Sequence, residues 1–152
     1  MPPVAIGYFD SLGNAVIKIT LRGAFKEAAQ EFDAIIDTGF SGFVSLPLVQ
    51  AFPLALILFG TTSVKLADGS VSFRLTAFGH AALEGEETEG IIILEPNSTE
   101  ILVGMDFLRR LKKAVIVSEH GVVLVDEQIA KDFAESVKKF NKESPPPTAT
   151  QN

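Results

Sequence analysis

Short runs of alternating apolar and polar residues, punctuated by Gly, Pro and Asp, cover most of this chain, and one run with helical spacing closes it. Residues 15–21 alternate and are β-branched, which predicts a strand. Val4, Ala5, Ile6, Tyr8 and Phe9 predict a shorter strand before it, with a turn over 10–14. Another strand leads through Phe32 to Ile36, and a further one spans 43–46 and stops at Pro47. Residues 48–52 predict a helical turn that Pro53 terminates. Over 63–75, Val64 and Leu66 on one arm and Val71, Phe73 and Leu75 on the other flank Asp68-Gly69, the pair a tight primed turn favours.

The second arm of that hairpin extends to Leu83, ahead of an acidic run from Glu84 to Glu89 that reads as a solvated loop. Residues 91–94 are a fully apolar strand and 96–99 a loop. Ile101-Leu102-Val103 then runs into Gly104, and 105–112 read as a short helix. Asp106 near its start and Arg109, Arg110, Lys112 and Lys113 near its end suit the helix dipole. Residues 114–117 and 122–125 predict a hairpin around Glu119-His120-Gly121. From Asp126 the period becomes helical: Ile129, Phe133, Val137 and Phe140 mark one face, with Asp126 as N-cap and Lys138, Lys139 and Lys142 near the end. The Pro-rich stretch 144–152 has nothing apolar to bury and reads as a disordered tail. The pattern divides the chain into a mostly-β domain (1–126), an amphipathic helix (127–143) and that tail (144–152).

Composition narrows the chemistry. A chain of 152 residues, 47% of them hydrophobic, is enough for one domain with a proper core. Cysteine is absent, which rules out disulfides, thiolate metal sites and a cysteine nucleophile. His80 and His120, each beside a glycine, read as surface loop residues. A net charge of −6 argues against nucleic acid or an anionic membrane as partner. Residues 1–4 carry neither a basic region nor an apolar signal core, so the expected location is cytoplasmic. Asn97-Ser98-Thr99 matches a glycosylation acceptor, but that needs a secretory route this N-terminus does not signal. The most apolar run, 51–59, contains Pro53 and falls far short of the ~20 residues a membrane helix needs.

The sharpest local feature is Ile35-Ile36-Asp37-Thr38-Gly39-Phe40-Ser41-Gly42. A carboxylate directly after an apolar strand must sit where the strand surfaces, because an unpaired buried charge is costly. Gly39 and Gly42 allow a sharp turn and close backbone approach. On its own the triplet Asp37-Thr38-Gly39 is as readily a strand terminator and turn as a site. Its context adds the Leu66-Ala67-Asp68-Gly69-Ser70 hairpin and the stretch Ile101-Leu102-Val103-Gly104-Met105-Asp106-Phe107-Leu108.

In the order and spacing of these three stretches, from about residue 15 to 125, the chain resembles the retropepsin-like aspartic proteases. It is closer in motif to the small bacterial and archaeal members than to the viral ones. The resemblance implies a closed, barrel-like β domain with one short internal helix; the helix after Asp126 is an addition to it. It also implies an aspartic endopeptidase acting on peptide or protein substrate, with no metal or cofactor, and a homodimer whose active site lies on the two-fold axis. Chemistry supports the dimer separately. Hydrolysis by two carboxylates needs one ionised and one protonated group sharing a proton, and this chain has one Asp-Thr-Gly. A second copy must supply the other acid.

By the same resemblance Asp37 is catalytic, Thr38 bonds across the dimer to the partner's turn, and Gly39 keeps the backbone beside the substrate. Ala67, Asp68, Gly69 and Ser70 form the tip of a flap that closes over the peptide. Asp106 is expected to be a first-turn helix residue, not a second acid. Phe40 stands where relatives carry Ala or a hydroxyl residue, which removes a hydrogen bond to the carboxylate and crowds the cleft. Met105 replaces an Arg of the viral members, which removes an ion pair. The alternative is a non-catalytic dimerisation or peptide-binding module of the same fold; intact Asp37, Thr38 and Gly39 favour the enzyme.

Overall fold

The computed structural model describes residues 4–25 and 28–144, so the expected tail lies, from residue 145 on, outside the described residues. The strands are β1 (Ala5–Phe9), β2 (Ala15–Arg22), β3 (Gln30–Ile36), β4 (Val44–Pro47), β5 (Ile57–Lys65), β6 (Val71–Leu83), β7 (Glu86–Glu95), β8 (Leu102–Val103), β9 (Lys113–Ser118) and β10 (Gly121–Asp126). The helices are α1 (Leu48–Ala51), continued by a 3-10 turn over Phe52–Leu54, then α2 (Met105–Arg110) and α3 (Glu127–Glu143). No helix of the described residues is long and apolar enough to cross a membrane.

The pairings close on themselves. β2 pairs with β3 and with β6; β6 pairs with β7, β7 with β4, β4 with β8, and β8 with β3. Alternation predicts a mostly-β domain, and this ring is the closed barrel that the family resemblance implies. Alternation also selects the lining: Ile17, Ile19 and Leu21 of β2 are buried, whereas Lys18 between them is exposed and pairs with Glu31 and Asp33 of β3. β1 lies outside the ring, pairing with β2 at one end and with β10 at the other, so the β9–β10 hairpin extends the sheet there.

Two of the pairings, β3 with β8 and β4 with β7, are parallel in an otherwise antiparallel sheet. The first of these places the site. Parallel neighbours end at the same edge, so the loop after Ile36 and the loop after Val103 leave the barrel side by side.

Several expectations are corrected. Asp68 does not have the positive φ a primed turn requires, and only Gly69 does, at 85°. The tip spans 66–70, with the Gly69 amide donating to the Leu66 carbonyl at 2.9 Å. The two-residue primed turn is instead Glu84-Gly85, with φ of 48° and 82°, joining Leu83 and Glu86, which pair directly. The acidic run is therefore strand from Glu86 onward, not a solvated loop: Glu87 pairs with Arg22 and Glu89 stands 3.4 Å from His80. His80 lies within β6 with its side chain largely covered, so only His120 is the exposed turn residue expected. β5 begins at Ile57, inside an apolar run that lacks strand alternation, and none of its residues is buried.

Asp126 stands at the N-cap position of α3 without a side-chain capping bond. Its carboxylate is taken by Lys113, whose Nζ lies 2.6 Å from Asp126 and 2.5 Å from Glu86, with a side chain only 2% exposed. Burial works against the Lys113 charge, but the hydrogen bonds it donates to Asp126 and Glu86 outweigh it and hold its pKa above the ordinary value.

Candidate active site

Asp37 follows the last residue of β3, and its amide continues the parallel ladder by donating to the Val103 carbonyl at 3.0 Å. Its side chain then turns the chain. Oδ1 accepts the Gly39 amide at 2.9 Å, and the Phe40 amide closes the turn on the Asp37 carbonyl at 3.1 Å. A Cβ at Gly39 would stand 3.2 Å from that carboxylate oxygen, so glycine leaves the amide free to reach it. Asp37 is half-buried, while Thr38 and Gly39 are exposed beside it.

The loop is braced from below by the second glycine turn. Gly104 donates to the Phe43 carbonyl at 3.0 Å, Met105 to Phe40 at 2.8 Å and Asp106 to Gly42 at 3.1 Å. The latter two donors are first-turn amides of α2, which have no partner inside the helix; carbonyls of the Asp37 loop cap them. Gly104 has no room for a side chain, since a Cβ there would collide with the carbonyl oxygens of Gly42 and Phe40. Beneath, the buried rings of Phe43 and Phe107 pack at 5.8 Å. The Phe40 ring lies over Gly42, in the space a Cβ would need, and so flanks the loop from the cleft side. Asp106 sits in the first turn of α2 and pairs with Arg110 at 2.7 Å, as its position predicts.

The β5–β6 hairpin projects past the barrel: the β6 residues 71–75 are not buried, whereas burial begins at Thr76. Ala67, Asp68, Gly69 and Ser70 stand at its tip. Asp68 Oδ1 accepts both the Ser70 amide at 2.8 Å and the Ser70 hydroxyl at 2.6 Å, and these bonds hold the Asp68 carboxyl below its ordinary pKa. The tip residues do not line the cleft beside Asp37; the arm behind them does. That cleft, about 640 Å³, runs between the loop at Gly39 and Phe40, the arm at Ser63 and Lys65, and α2 at Asp106 and Arg109. Lys65 and Arg109 have no ion-pair partner among the described residues, while Asp106 is engaged by Arg110. In the sequence Arg109 reads as a base suiting the helix dipole and Lys65 as a hairpin residue; no spacing links residue 65 to 109, and only the folding of hairpin onto helix makes them neighbours of one cleft. Among the described residues no group of three or more His, Asp or Glu is placed to hold a metal ion.

No family model and no curated protein matches this sequence. Its fold does match solved structures. A retropepsin-like aspartic protease from Rickettsia conorii superposes with a TM-score of 0.56 at 16% identity, over 82% of this chain and 91% of that one. EIAV protease complexed with the inhibitor HBY-793 gives 0.56 at 11% identity, over 72% and 98%. The fold is retropepsin-like.

Proposed function

We propose that the protein is an aspartic endopeptidase that acts as a homodimer, with one Asp37 from each copy meeting on a two-fold axis. The observation that supports this most is the loop itself: a half-buried carboxylate, oriented by the Gly39 amide and braced by the Gly104 turn, in a fold shared with aspartic proteases. Two Asp37 carboxyls held close share one proton. The ionised member takes a proton from water as the water oxygen bonds to the substrate carbonyl carbon, and the protonated member gives its proton to the carbonyl oxygen. Collapse of the resulting diol breaks the C–N bond, and the proton returns to the leaving amine. In this reading Thr38, exposed on the turn, bonds to the partner's turn and keeps the carboxyls coplanar. The hairpin tip 67–70 closes over an extended peptide. Cleavage of a broad peptide library by the intact protein, blocked by a mimic carrying a hydroxyl at the scissile carbon, tests this. No cleavage by a confirmed dimer would overturn it.

The cleft's cations Lys65 and Arg109, unpaired among the described residues, suggest its substrate preference. Peptides with Asp or Glu against Lys65 and Arg109 should be cleaved faster, and Lys65→Glu with Arg109→Glu should lower kcat/KM for them about tenfold, as expected for two partly exposed ion pairs. Matched neutral peptides, assayed alongside, should change little.

The tip carries its own prediction. Asp68→Ala removes both bonds to Ser70, and kcat/KM should fall about fivefold with the melting temperature unchanged, because only a gating segment is loosened. Since the folded carboxyl lies below its ordinary value, its contribution is present above about pH 4 and fades only as pH falls through the lower folded value. Amide exchange at Ser70 across that range reads it directly.

A further inference from the structure

The 17-residue helix α3 has no buried residue. Ile129, Phe133, Val137 and Phe140, spaced to one face, are 42%, 72%, 41% and 65% exposed, so the barrel leaves this stripe uncovered. The charges beside it are segregated. Glu127, Asp132 and Glu135 lie in the N-terminal half, against Lys131 alone; Lys138, Lys139 and Lys142 lie in the C-terminal half, against Glu143 alone.

From this we infer that α3 pairs antiparallel with α3 of a second copy. Turning one helix over a two-fold axis near residue 135 sets Ile129 opposite the partner's Phe140 and Phe133 opposite the partner's Val137. On the wheel, Asp132, Ser136 and Lys139 flank one side of the stripe, with Ala130 and Ala134 on the other. An antiparallel pair brings like sides together, so Asp132 meets the partner's Lys139 twice over, and the opposed helix dipoles also agree. A parallel pair would set Asp132 and Lys139 against the alanine side instead. A helix pair of this length, about 25 Å, buries less than the ~1,200 Å² of a stable interface, so it reinforces a two-fold assembly and does not create one. The inference rests on the dimer of the preceding section for its axis, but not on catalysis.

Sedimentation equilibrium on the full chain tests it. Asp132→Lys and Lys139→Asp should each weaken association about tenfold by placing like charges together, and the double variant should restore it. Phe133→Glu should weaken it at least as much. The chain has no Cys, so Ser136→Cys should give an oxidised dimer through the only thiol present. Failure of the double variant to recover, or unchanged association in all variants, overturns the inference. The two readings separate cleanly: rescue of association with no peptide cleaved removes the protease reading alone, whereas cleavage by a dimer indifferent to these changes removes the helix pairing alone.

Discussion

Replacing Asp37 by Asn should lower peptide cleavage by on the order of 10³-fold or more, with folding and association unchanged. The amide keeps an oxygen to accept the Gly39 N–H at 2.9 Å, so the turn and its bracing by Gly104 persist. What is lost is proton chemistry, since an amide neither takes the water proton nor donates one to the carbonyl oxygen. Mixing provides the stricter test. If each active site needs an Asp37 from both copies, equal amounts of wild type and Asp37→Asn, allowed to exchange, leave about one quarter of the dimers intact. Activity should then fall to about a quarter; a fall to only half would mean that each copy works alone.

Removing the Lys113 charge should have the largest effect on stability. Lys113→Met leaves the half-exposed carboxylates of Glu86 and Asp126 facing one another without the cation now 2.5 and 2.6 Å from them. Losing charge-assisted hydrogen bonds to two carboxylates that keep about a third of their surface in water costs about 2 kcal/mol, or about a 6 °C fall in melting temperature for a chain of this size. Adding Glu86→Gln and Asp126→Asn should recover part of the loss, because no charge is then left uncompensated. The pH dependence has a definite sign. The folded pKa of Lys113 is raised, so its contribution is complete below the ordinary lysine value near 10.4 and is lost as pH rises through the folded value. Wild type and Lys113→Met should differ undiminished at neutral pH and converge only in strong alkali. Thermal unfolding followed by circular dichroism from pH 6 to 11 measures this.

This triad was invisible in the linear chain. Lys113 reads there as one of several bases closing a short helix, Asp126 as a cap, and Glu86 as part of a solvated acidic run. Each assignment obeys a local rule, and each yields to the packing of β7, β9 and β10, which sets the three side chains together. The turn chemistry shows the same limit. Asp68-Gly69 and Glu84-Gly85 are both acid-glycine pairs, and the loop length that separates a primed turn from a wider one is decided by strand register, here Leu83 with Glu86 and Lys65 with Val71. β5 was obscured because Ile57, Leu58 and Phe59 begin an exposed edge strand on which no face is buried and no alternation is imposed.

Most strands, both longer helices and the Asp37 loop are legible in the amino-acid order, because period, caps and glycines act over a few residues. Alternation along β2, the apolar run of β10 and the helical face after Asp126 need no partner to be read. The order of residues also places a carboxylate where a buried strand must surface. It does not say which strands become neighbours. Parallel pairing of β3 with β8, which carries Gly104 beneath Asp37, and contact of the β5 arm with the same cleft as Arg109 join residues tens of positions apart. Such pairings depend on closing the barrel as a whole, where burial of one shared core, and not any local preference, selects the arrangement.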